Sequence, residues 1–310
     1  MKKEYVSHPS VLCGAERFTY SQGKAKGVEA VRMYNGKLEL TVLLDRCMDI
    51  YRLSWKGMNV SYISKNGIVS PRLTETGAYN FLESFGGGFL YTCGLNNIGS
   101  PTETFPQHGS ISYIPAENVR IETEDSDGDY RVILKGSMRF SSLFGQNLVM
   151  NREITLSYLG NSVNVKDTIV NESFTNAGYM LMYHSNIGYP LLDENARLTI
   201  DAQKTERFSD NADLDRWGVF EVPTAGRAEE VFLHTMKQSE CVRAVLENGD
   251  IRMTLEFSPK DFPYMTQWKS MASGDYVLGI EPVTTPMSVR EKNVLAPSES
   301  RTHIATWYFE

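Results

Sequence analysis

Apolar and polar residues alternate along most of this chain with a period of two. In SVNVKDTIVN (162–171), Val163, Val165 and Ile169 fall on one face, and Ser162, Asn164, Lys166 and Thr168 on the other. NREITLSYLG alternates Ile154, Leu156 and Tyr158 with polar neighbours, and LELTVLL, YRVILKG, IRMTLEFS and HIATWYFE are further short strand candidates. Successive side chains of a strand point to opposite faces, so this spacing predicts strands with one buried face. Turn signals separate them: YNGK at 34–37, SDGD at 126–129, LGNS at 159–162 and ENGD at 247–250. Asn-Gly and Asp-Gly supply the positive φ that tight hairpins need. Helical periodicity is poor; RLTETGAYNFLESF (72–85) predicts a helical turn or two and no long helix. No Pro/Ser-rich linker or fixed-period repeat divides the chain. Residues 1–310 are therefore expected to form one large all-β domain, mainly antiparallel, with long loops.

Composition narrows the function classes. The chain is 41% hydrophobic and 22% charged, as soluble globular proteins are. Its net charge is −7, and no basic run is longer than Lys2-Lys3. Nucleic acid and anionic membranes need a basic face, so neither is expected as a partner. The start, MKKEYVSHPSVLCGAERF, lacks the apolar stretch of a secretory signal. No window approaches the ~20 apolar residues of a membrane-spanning helix. Cys13, Cys47, Cys93 and Cys241 are widely spaced and form no CxxC pair. Free thiols in a reducing cytoplasm are the expectation, with no zinc site.

Several chemistries are excluded by pattern. There is no GxxxxGK[ST], no GxGxxG opening a helix, no HExxH and no GxSxG. GGG at 86–88 permits unusual backbone or close approach, but no helix and lysine follow it to make a phosphate loop. LDENARLTIDA has too few acids, wrongly spaced, for a calcium loop.

Three polar residues remain in positions that suit chemistry. His108 sits in FPQHGSISYIPAEN, before a glycine and between two prolines. His184 ends the apolar run of YMLMYHSNIGYPLLDE, and Glu281 follows YVLGI and precedes Pro282. Each has an ordinary reading, a packed histidine or a carboxylate ending a strand. Each also has a chemical one. A carboxyl drawn into an apolar cleft gains proton affinity and becomes a useful base, and imidazole titrates near neutral pH.

FPQHGSISYIPAENV, YHSNIGYPLLDE, LGIEPVTTP and the closing NVLAPSESRTHIATWYF occur in this order across some 200 residues. The series resembles the aldose 1-epimerase, or galactose mutarotase-like, superfamily. Its flanks LDRCMDIYRLSWKG and GGGFLYTCGLNNIG look like a divergent branch known mainly as an uncharacterised domain family, DUF4432. The resemblance covers nearly the whole chain and implies a β-supersandwich fold. It implies Glu281 as general base, His184 as general acid and His108 as the histidine that hydrogen-bonds the sugar near its ring oxygen. It implies ring opening and reclosure of an aldose without metal or organic cofactor.

The sequence departs from the family pattern in places. The arginine that typical members carry shortly before the His-Gly segment is absent from LNNIGSPTETFPQ. Asn97, or Arg46 or Arg72 from elsewhere, is expected to make that contact. Asp213 and Asp215 are the nearest candidates for the family's sugar-binding aspartate. Trp268 and Lys269 in MTQWKS precede Glu281 by one hairpin; the indole is either core or a platform for a pyranose face. Arg46 and Asp49 in LDRCMDI are either a structural ion pair or a ligand clamp, and the clamp is the expectation. The expected partner is a small-molecule sugar, with a homodimer left open. The rival readings are a non-catalytic sugar-binding protein on the same fold, a carbohydrate lyase or hydrolase relative, and a purely structural sandwich.

Overall fold

The computed structural model describes residues 3–73, 81–126, 129–288 and 292–310. Its strands pair antiparallel into two large sheets. One sheet has the eight strands Arg197–Ile200, Val242–Asn248, Ile251–Phe257, Ser300–Phe309, Ser162–Asn171, Asn147–Ser157, Asp129–Ser141 and Glu117–Ser126, in that spatial order. The other runs Gly14–Thr19, Glu29–Tyr34, Leu38–Leu43, Asp49–Trp55, Leu90–Leu95, Ala177–Ile187, Asp275–Val283, Tyr264–Ala272, Glu230–Met236 and Ala202–Arg207, with two short strands beside that path.

The period-two pattern explains why these segments are strands and which way they face. Ser162–Asn171 alternates partly buried and buried residues without a break. Val163, Val165 and Ile169 enter the core between the sheets, as expected. The same parity carries Asp167 inward, where it is fully buried. The hairpins fall where the turn residues stand: Gly36 and Gly249 both take positive φ, at 90° and 57°. Strands on either side of SDGD pair at Ser126 and Asp129, although 127–128 lie outside the described residues. In the stretch expected to hold a helical turn or two, Pro71–Leu73 is a 3₁₀ turn and Phe81–Ser84 one turn of α-helix. Positions 74–80 of that stretch lie outside the described residues.

Two of the apolar clusters among the described residues frame the site. The larger lies between the sheets and includes Leu181, Tyr183, Leu278, Ile280, Trp307 and Phe309. A smaller cluster with Met180, Met182, Val277, Val283, Phe81 and Phe85 lies on the opposite face of the central strands. Each fully buried aliphatic or aromatic side chain contributes about 1.5–3 kcal/mol. Phe81 and Phe85 of this smaller cluster line a cleft. No helix among the described residues is long and apolar enough to cross a membrane.

Candidate functional site

Three neighbouring strands bring the central residues together. In the Ala177–Ile187 strand, Tyr183 and Ser185 turn toward the core and His184 turns toward the cleft. Its partner Asp275–Val283 pairs Met182 with Val283 and Ser185 with Ile280, which sets His184 opposite Glu281. The third strand pairs Thr266 with Glu281. The cleft holds about 220 Å³ of open space, lined by His108, His184, Glu281, Glu229, Thr266 and Trp268 with an apolar wall including Phe81 and Phe85.

His184 Nε2 lies 3.2 Å from Glu281 Oε1, and both side chains are almost wholly buried, at 5% and 2% exposure. Neither Glu281 Oε1 nor His184 Nδ1 has a hydrogen-bond partner, which is unusual for buried polar atoms. Burial pushes the Glu281 carboxyl well above its usual range, with Glu229 adding to the effect. Burial pushes the His184 imidazole well below its usual value, and His108 adds to that. Burial therefore favours a neutral carboxylic acid beside a neutral imidazole. The charged alternative differs by one proton moved across the pair.

His108 comes from a loop, and its Gly-following motif has a steric cause. His108 takes a positive φ of 60°, and Gly109 follows at 79°. A Cβ on Gly109 would overlap the carbonyl oxygens of Gly94 and Asn97. The loop is tied by His108 N–H to Gly99 O at 2.9 Å and by Gly94 N–H to His108 O at 3.0 Å. His108 Nδ1 donates to Ile98 O at 2.9 Å, which leaves Nε2 for a ligand. Burial lowers this imidazole to about 4. The rings of His108 and His184 are 5.4 Å apart, and the Trp268 indole is 5.6 Å from His184.

The structure redistributes the remaining candidates. Trp268 lines the cleft, and its Nε1–H donates to Glu229 Oε2 at 2.7 Å. Lys269, one residue on, points to the other face of the strand, where its buried ammonium meets Glu230 at 3.0 Å. It is not in the cleft. Asn97 does not line the cleft either, because its amide N–H groups go to the carbonyls of Ser100 and Pro106, both at 2.9 Å, which shape the His108 loop. Arg46 and Asp49 lie outside this cleft and line a separate small cavity together with Ser84 and Tyr91. Arg46 spends its guanidinium on Val69 O, with Nε at 2.8 Å. Asp49 accepts from Thr92 at 2.6 Å and lies 3.2 Å from Arg152 between the sheets. Arg72 is exposed on its 3₁₀ turn, away from the cleft lining. Asp213 and Asp215 are exposed and cap their own turn, Asp215 N–H donating to Asp213 Oδ1 at 3.0 Å. Sequence reasoning missed Glu229, Thr266, Phe81 and Phe85. Glu229 stands just before the Glu230–Met236 strand, and only the pairing of Val231 with Trp268 places it. Among the described residues no three His, Cys, Asp or Glu side chains converge as a metal-binding group.

Two facing antiparallel sheets with this cleft on one outer face define a protein of galactose mutarotase-like fold. The chain belongs to the DUF4432 family: the profile described as a domain of unknown function matches residues 25–298. It is similar to a candidate aldose 1-epimerase from Klebsiella pneumoniae, at 25% identity and a TM-score of 0.90, covering 95% of this chain and 83% of that one. A galactose mutarotase-like protein from Clostridium acetobutylicum superposes with a TM-score of 0.68 at 17% identity, covering 97% and 99%. A galactose 1-epimerase from Lactobacillus acidophilus does so at 0.61 and 11% identity, covering 96% and 99%. No curated protein matches the sequence.

Proposed function

We propose that this protein is an aldose 1-epimerase-like isomerase that interconverts the anomers of an uncharged aldose by general acid–base ring opening. The observation that carries the reading is the buried, otherwise unpartnered contact of His184 Nε2 with Glu281 Oε1, at 3.2 Å in a cleft that also holds His108 and Trp268. Transfer of the shared proton from Glu281 to His184 produces a carboxylate base and an imidazolium acid. Glu281 then takes the proton of the anomeric hydroxyl while His184 gives its proton to the ring oxygen. The C1–O5 bond breaks, C1 becomes a carbonyl, and rotation about C1–C2 exposes its other face; as O5 attacks C1 again, His184 takes back the O5 proton while Glu281 returns its proton to the carbonyl oxygen. No atom is gained or lost. His108 Nε2 is placed to meet a ring substituent, and the Trp268 indole offers a face for the apolar side of a pyranose.

An uncharged sugar fits because Glu229 and Glu281 both line the cleft, whereas Arg46, Arg72 and Lys269 lie elsewhere. The continuous core between the sheets supports reading residues 1–310 as one domain. The four unpaired cysteines fit a reducing compartment such as the cytoplasm. The test is exchange NMR between anomers across a panel of aldoses and their 6-phosphates, corrected for the spontaneous rate. Acceleration of at least one neutral aldose is expected. If none is accelerated but a sugar still binds, a non-catalytic sugar-binding role replaces this one; preference for a phosphate overturns the uncharged-sugar assignment.

A further inference from the structure

The cleft-facing side of the Asp275–Val283 strand reads Val277, Gly279, Glu281, Val283. A glycine in the interior of a central strand weakens it and needs a reason. A Cβ built on Gly279 would overlap Glu281 Oε1 and come within 3.3 Å of Glu281 Cδ. The carboxylate thus lies folded back along its own strand, in the volume that a side chain at 279 would fill. The same Cβ would stand 3.0 Å from Trp268 Cβ, the residue paired with Gly279 across the ladder. With Val277 and Val283 fully buried on either side, the carboxylate has an apolar seat of fixed shape.

We propose that Gly279 is a positioning residue for Glu281: the absent side chain creates the seat that holds the carboxylate oxygen against His184 Nε2. Its kinetic consequence rests on the ring-opening reading above, but its geometry does not. In this seat the carboxylate cannot drift toward solvent without leaving the imidazole, so acid and base stay in register through both halves of a reaction. An alanine at 279 drives the carboxylate out of the seat. Misplacement of a catalytic group by about 1 Å can reduce rate by about 100-fold.

Two cycles test this. In the first, Gly279→Ala is made in the wild type and in Glu281→Gln, and anomer exchange is measured. The expected result is a fall in kcat of about 10-fold or more with KM little changed in the wild type, and a further loss of less than about twofold in the Glu281→Gln background. Equal losses in both backgrounds, or full rate in Gly279→Ala, overturn the proposal. In the second cycle thermal unfolding is followed for Gly279→Ala in the wild type and in Glu281→Ala, without reference to any activity. Gly279→Ala is expected to lower Tm, or prevent folding, when Glu281 is present and to be tolerated when position 281 is alanine. If the double variant is as impaired as the single one, Gly279 serves Trp268 packing alone and the proposal fails. A protein that accelerates no sugar leaves this second cycle intact, so the two readings fail separately.

Discussion

Tyr183 and His184 are consecutive residues on one strand, and they point into two opposite kinds of buried polar site. Behind the strand, Tyr183 O–H donates to Asp167 Oδ2 at 2.6 Å. Arg152 donates to both oxygens of Asp167, at 2.8 and 2.6 Å. It donates to Asp49 at 3.2 Å, Cys47 O at 3.0 Å and Thr92 Oγ1 at 2.9 Å. Those contacts use all five guanidinium N–H groups. In front of the strand, His184 and Glu281 are as deeply buried but hold almost nothing. They face each other at 3.2 Å, and burial drives both toward their neutral forms. Between the sheets Arg152 and Asp167 are fully paired and tie the two sheets together, while Asp49 keeps one unpartnered oxygen. In the proposed reaction, unsatisfied groups in the cleft share a proton and leave lone pairs for a ligand. Burial alone does not distinguish the two sites; they differ in how many hydrogen bonds each buried charge holds.

The contrast breaks most visibly at Asp167. Asp167→Asn leaves Arg152 buried beside a neutral amide. Removing one partner of a buried pair costs about 3–5 kcal/mol, so a large fall in Tm or in denaturant midpoint is expected. Glu281→Gln, which replaces a buried carboxyl whose ionisable neighbour at contact distance is a neutral imidazole, is expected to leave thermal stability equal or higher. Comparable destabilisation by both would erase the distinction.

Trp268 and Lys269 repeat the contrast one residue apart. Trp268→Ala removes the proposed sugar platform, a contribution of about 0.5–1.5 kcal/mol that raises KM roughly 2–10-fold. Lys269→Met leaves the buried Glu230 with only its longer contact to Arg227, at 3.6 Å, so it is expected to lower Tm while leaving KM unchanged. A KM effect from Lys269→Met equal to that of Trp268→Ala would place the ammonium at the ligand.

The smallest expected change is in the pH profile. An ordinary imidazole would lose its function around its reference value of 6.5, but His108 is held down to about 4 and His184 well below its usual range. Glu281 is shifted the opposite way, so burial widens the pH range in which the pair holds one proton. A second proton, on His184 or His108, inactivates the site. Exchange rates are expected to stay level as pH falls through 6.5 and to drop only on approach to about 4. A limb centred at an ordinary imidazole value would show that the histidines are solvated during turnover.

The strands and most hairpins were legible because period two and Asn-Gly or Asp-Gly turns are local signals. His108, His184 and Glu281 were legible because the order of their motifs matched a family, and the structure places all three in one cleft. What escaped depends on long-range register. Alternation divides MTQWKS into two faces but does not say which face is the cleft, so Trp268 and Lys269 were assigned together. Arg46 and Asp49 are charges in an apolar segment, and Asn97 stands where the family's arginine is absent. Their partners, Val69 O, Thr92 with Arg152, and the carbonyls around 99–106, are supplied by tertiary contacts that no spacing reveals. Glu229 sits in GRAEEVFLH as an unremarkable surface acid until the pairing of Val231 with Trp268 swings it against the indole.

The most direct test is the anomer exchange rate of Glu281→Gln against wild type on whichever aldose the wild type accelerates. The amide keeps the size of the carboxyl group but cannot accept the anomeric proton. A positioned general base contributes about 10²–10⁴-fold, so a loss of at least about 100-fold is predicted, with sugar binding largely kept. A variant that retains the wild-type rate would contradict the account at its central residue.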